Sequence, residues 1–126
     1  MCLRGASEVQ RELLEKDGDP DLRAYVVWVP KVGGKEQNVP AATRFVPDPR
    51  AHHFWDGEGV LLKNYRPVLP IAKDVWDVYM VYRRDARWDA EGPPEPEFWM
   101  HQLDVKNAPE LDGATFAARV KSLEVK

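Results

Sequence analysis

Val75-Trp76-Asp77-Val78-Tyr79-Met80-Val81-Tyr82 is the stretch on which the fold turns. In an extended chain, successive side chains point to opposite faces. Trp76, Val78, Met80 and Tyr82 therefore share one side, and Asp77, Tyr79 and Val81 the other. This alternation, in a run dense in β-branched and aromatic residues, makes 75–82 a strand. The next four residues, 83–86, have the length of a hairpin connection, so 87–90 is expected to return antiparallel beside it. Gly92-Pro93-Pro94-Glu95-Pro96 then forms a stiff link. Beyond the link, 98–103 (FWMHQL) is expected to be helical. Residues 112–125 are expected to form a terminal helix, with Asp112 as its cap and Phe116, Val120 and Leu123 along one face.

Working back toward the N-terminus, Leu61, Tyr65, Val68 and Leu69 mark a short helix within 60–69, limited by Pro67 and Pro70. Residues 51–56 (AHHFWD) read as a short strand running into the turn Gly57-Glu58-Gly59. Residues 35–46 are expected to be helical with Pro40 in the first turns. Pro47-Asp48-Pro49 ends that element, because a residue before proline is pushed out of the helical region. Residues 22–29 (LRAYVVWV) are apolar on both faces, the pattern of a strand buried inside a sheet. Leu3, Ala6, Val9 and Leu13 recur at helical spacing against a polar face, giving an amphipathic helix that closes at Asp17-Gly18-Asp19-Pro20. The order is helix, strand, helix, strand, helix, strand, strand, helix. Strands separated by helices imply parallel pairing through crossovers, and the final hairpin adds an antiparallel edge. The expected class is an α/β sandwich with a mixed sheet.

Composition limits the functions open to such a fold. With 126 residues there is room for one modest core. Apolar residues at 44% and charged residues at 31% exclude a disordered tail. No apolar run approaches the roughly 20 residues of a bilayer span, so no membrane partner is expected. A net charge of −3 supplies no general field for nucleic acid. The five tryptophans have no basic stripe among them, which favours packing over base stacking. There is one cysteine, Cys2, so neither an intrachain disulfide nor a thiolate-rich metal site can be built. Residues 1–5 do not lead into a signal-peptide core, and the location implied is cytoplasmic and reducing. Neither a phosphate-binding glycine loop nor a Ser-His-Asp order can be picked out, and no cofactor is expected.

A few side chains remain as chemical candidates. His52 and His53 are adjacent on a strand and point to opposite faces, so they cannot easily share an ion. His53 and His101 are the weak metal candidates, against the plainer reading of hydrogen-bonded histidines at a sheet edge. Asp56 and Asp77 each follow a tryptophan at a strand position, where a carboxylate near a thiol serves as a proton acceptor. The plainer reading is a turn cap. Cys2 is either a redox thiol or a terminal cysteine of no consequence.

Cys2-Leu3-Arg4-Gly5-Ala6, set before the first helix, resembles the helix start of the thioredoxin-like fold, in which a strand ends in Cys-x-x-Cys and the second cysteine opens the following helix. Tyr25–Trp28, Asp48-Pro49-Arg50, His53-Phe54-Trp55-Asp56, Trp76-Asp77-Val78-Tyr79 and 98–103 together resemble a group of bacterial thioredoxin-like proteins of undefined activity. The resemblance covers 2–103, taken as the thioredoxin-like domain, with 104–126 a helical extension. It implies a three-layer sandwich that lacks its first strand, and a thiol–disulfide oxidoreductase in which Cys2 is the resolving thiol. The nucleophile, a cysteine or selenocysteine, would then lie ahead of Met1, with the gene start placed too late. The family's proline facing the cysteines is absent, since Asp74-Val75-Trp76 stands there. The implied partners are protein or small-molecule disulfides and thiols. The rival reading is a non-catalytic binding module that self-associates through the sheet edge left open by the missing strand.

Overall fold

The computed structural model describes residues 3–30, 34–70, 76–90, 92–103, 106 and 108–124. It is a mixed α/β protein with a two-stranded parallel sheet and a two-stranded antiparallel sheet among the described residues. The chain divides into two compact units, Met1–Val60 and Leu61–Lys126.

In the first unit, α1 (Leu3–Val9) runs into a π-helical turn at Gln10–Leu14. Glu15 N–H reaches back to the Gln10 carbonyl at 2.9 Å. Of the apolar residues at helical spacing, Ala6 and Leu13 are buried and Leu3 and Val9 half-buried, and Leu14 and Gln10 are buried as well. The helix stops where expected, because Asp17 and Asp19 accept bonds from the backbone two residues on, in the turn geometry that competes with helix. β1 (Ala24–Trp28) pairs in parallel with β2 (Ala51–Trp55), Ala24 opposite Ala51 and Trp28 opposite Trp55. Between them a 3₁₀ turn at Glu36–Asn38 leads into α2 (Val39–Thr43), with Pro40 in its first turn. Such a placement costs proline nothing, since the first amides of a helix have no intrahelical partner.

One expectation fails here. β1 is not buried on both faces, because Tyr25 is 69% exposed. Apolar residues on both sides of a strand show that both can be covered, not that both are.

The second unit begins within α3 (Val60–Tyr65). β3 (Val78–Val81) and β4 (Phe98–His101) form an antiparallel pair, Val78 opposite His101 and Val81 opposite Phe98. Trp76, Val78, Met80 and Tyr82 lie together, as the alternation predicts, and with Trp99 they pack on the buried cluster Tyr65, Leu69 and Leu103. Tyr79, from the opposite face, meets Phe116 of α4 (Gly113–Ser122) edge to face at 6.4 Å between centroids. Arg119 lies over the Phe98 ring at 4.5 Å. This sheet thus carries Tyr65 and Leu69 on one face and α4 on the other. Asp112 caps α4 as expected, its carboxylate accepting from Thr115 N–H at 3.2 Å and from the Thr115 hydroxyl.

Two elements are corrected. Residues 98–103 are not a helix, since Phe98–His101 is strand β4. Residues 87–90 are not the returning strand, and make only a bridge between Asp89 and Gly92. A six-residue block is too short for its period to be read. The β-propensity of Phe98 and Trp99 and the Glu97 N–H bond to Val81 O, 2.9 Å, settle it as strand.

Candidate functional site

The most densely bonded side chain described is Arg50, at the turn before β2. A guanidinium has five N–H donors, and here each has an acceptor. Nε and Nη2 donate to the two oxygens of Asp48 at 3.0 and 2.9 Å. Nη1 donates to the carbonyls of Asp17 and Asp19 at 2.7 and 2.8 Å, and Nη2 also donates to Leu14 O at 2.7 Å. Three carbonyls at the exit of the first helix are thereby capped by a residue more than 30 positions away. The pair is largely enclosed, with side-chain exposures of 15% for Arg50 and 12% for Asp48. These hydrogen bonds hold the Asp48 carboxyl below its ordinary range and raise the Arg50 guanidinium. The geometry makes this a clasp between the helix exit and the sheet.

His53 lies on the sheet face that holds Trp28. Its Nδ1 accepts from Trp28 Nε1–H at 3.0 Å, and its Nε2 lies 3.0 Å from Val46 O. An indole nitrogen only donates and a carbonyl only accepts, so the ring is neutral with its proton on Nε2. His101 repeats the arrangement in the second unit. Its Nδ1 accepts from Leu103 N–H at 3.1 Å and its Nε2 donates to Ala108 O at 2.8 Å. It is 0% exposed. Both rings therefore have both nitrogens in use, and each ties a strand to backbone seven positions away.

The aspartates also serve the backbone. Asp56 extends the parallel ladder through its N–H to Trp28 O at 2.9 Å, and its Oδ1 accepts from Val60 N–H, at the start of α3, at 3.0 Å. Asp77 is not a strand residue. It precedes β3 with φ +53°, a left-handed conformation that aspartate tolerates better than most residues. Its carbonyl accepts from Gln102 N–H at 3.1 Å, and its Oδ1 from the Tyr79 hydroxyl at 2.7 Å. Asp56 and His53 belong to the first unit, Asp77 and His101 to the second. Cys2 lies outside the described residues, as does Asp74-Val75 of the expected proline position. Among the described residues no group of three or more His, Cys, Asp or Glu side chains is arranged to hold a metal ion. Among the same residues, no helix is long and apolar enough to cross a membrane.

Two further features were not anticipated from sequence. On the outer face of the first sheet, Tyr25 stacks with His52 at 5.5 Å and with Phe54 at 6.5 Å, and Phe54 is 52% exposed. The register, Tyr25 opposite His52, is what brings them together. In the second unit the Tyr65 and Tyr82 hydroxyls are 2.7 Å apart, and Tyr82 donates to Pro94 O at 2.8 Å. A hydroxyl has one proton, so Tyr65 donates to Tyr82. Burial pushes both phenols above the ordinary tyrosine range.

In comparisons with protein-family models, with curated proteins and with solved structures, nothing matches this chain.

Proposed function

We propose that the chain is a thioredoxin-like thiol–disulfide protein, its α/β elements forming that family's three-layer sandwich, with Cys2 as the resolving thiol. The observation that carries this reading is helix α1 at Leu3–Val9, which follows Cys2 in sequence and corresponds to the helix that the family's second cysteine opens. Unpaired amides at a helix start favour the thiolate over the thiol. The strand and helix order, with a parallel pair followed by an antiparallel pair, supports the same family. In this role the Cys2 thiolate attacks a preceding cysteine's sulfur, or a preceding selenocysteine's selenium, that is bonded to the substrate sulfur. The new bond joins Cys2 to that residue, and the substrate leaves as a thiolate with the electron pair. Asp56 and Asp77 enter as structural residues, because their carboxylates hold α3 and Tyr79. His53 and His101 enter as neutral struts. The substrates are protein or small-molecule disulfides in a reducing compartment such as the cytoplasm.

The test is the pH dependence of Cys2 reaction with an aromatic disulfide reagent, measured on the folded chain and on the chain in urea. A folded-state midpoint at least a unit below the ordinary thiol value of about 8.5 supports the proposal. Equal midpoints refute it, and Cys2→Ser must abolish the signal in both states.

The exposed strip Tyr25, His52 and Phe54 favours a second reading, a non-catalytic module that self-associates. Among the described residues, β1 and β2 pair only with each other, leaving each an open side. Sedimentation across a concentration series distinguishes the two readings. Dimerisation that Tyr25→Ser abolishes, with an unreactive Cys2, supports the second.

A further inference from the structure

We draw no further inference here: the strongest candidate, the exposed Tyr25, His52 and Phe54 strip on the outer face of the β1–β2 sheet, is an apolar face with nothing in the structure to show what covers it.

Discussion

Replacing Arg50 tests whether the clasp works through its carbonyl contacts or through its charge. Arg50→Met removes all five donors while keeping much of the aliphatic stem. It strips the carbonyls of Leu14, Asp17 and Asp19 of a charged donor and leaves the Asp48 carboxylate with the Arg50 backbone N–H, 2.8 Å away. At about 1 kcal/mol for each lost bond to a carbonyl, plus the cost of a poorly solvated carboxylate, the loss is about 3–5 kcal/mol. The lower end is expected, since side-chain exposures of 15% and 12% let some water in. Arg50→Lys keeps the charge but puts its donors on one nitrogen, which cannot span three carbonyls and a carboxylate. It should lose about 2 kcal/mol. Asp48→Asn keeps one acceptor oxygen and all three carbonyl contacts, and should lose about 1 kcal/mol. Urea unfolding followed by far-ultraviolet ellipticity reads these differences. With a slope of about 1.5 kcal/mol/M, Arg50→Met moves the midpoint by about 2 M. Hydrogen exchange at Glu15 and Asp17, whose amides close the helix exit, reports the local part. The reasoning fails if Arg50→Lys is as stable as the parent, or if Asp48→Asn costs as much as Arg50→Met. The second outcome would make the ion pair, not the carbonyl capture, the source of the stability.

Acid should release the same clasp. The Asp48 carboxyl is held down by Arg50 in the folded state, so the unfolded state binds more protons at low pH. The contribution is complete above about pH 4 and is lost as pH falls through the folded value. Asp48→Asn should flatten that part of the acid limb, and an unchanged limb would exclude Asp48 as its source. At the alkaline end, the raised phenols of Tyr65 and Tyr82 stabilise the fold fully below about pH 10, and the stabilisation fades above it. Ultraviolet difference absorbance should show these two ionising only with unfolding, and their titration in an intact fold would contradict the burial. Nitrogen-15 NMR of the imidazoles should find the Nε2–H tautomer at both His53 and His101, and an Nδ1–H ring at either would overturn the bonding described. Asp77→Asn keeps both the left-handed backbone preference and an acceptor for Tyr79, and should cost under about 1 kcal/mol, whereas Asp77→Val should cost about 2–3 kcal/mol. Equal damage from both, read by thermal unfolding, would mean that the carboxylate charge itself is needed.

The order of elements as far as β3 was legible because long-period cues survive small errors of boundary. Two parts of the second unit show why. Trp76, Val78, Met80 and Tyr82 could be assigned to one face because alternation over eight residues leaves no competing period, and they do share the Tyr65–Leu69–Leu103 cluster. Phe116 and Val120 could be assigned to the buried side of α4 for the same reason at the helical period. The partner of β3 was missed because hairpin length is a local cue, while the true return lies beyond Val81 by 16 intervening residues, through a proline link that no short-loop rule anticipates. The Asp77 carbonyl, Gln102 N–H and the Tyr82 bond to Pro94 O help fix that register, and each joins residues that no short window contains.

The same distinction governs the candidate site. A lone histidine or aspartate beside an aromatic residue reads as chemistry when only its neighbours in sequence are visible. Its chemistry depends on partners brought in by the fold. His53 finds an indole 25 positions away, and Arg50 finds carbonyls 31 to 36 positions away. In each case the partner is fixed, and the polar group is spent on holding a strand or a helix end. His101 shows that complete burial alone does not mark a catalytic or metal-binding histidine. With Nδ1 facing an amide and Nε2 facing a carbonyl, the neutral ring meets its full hydrogen-bonding need inside the fold, and a metal could be bound only by breaking one of those bonds. With these described side chains engaged in structure, the proposed thiol chemistry rests on Cys2. For that reason a single thiol titration weighs more on the proposed function than substitution of any of the described histidines or aspartates.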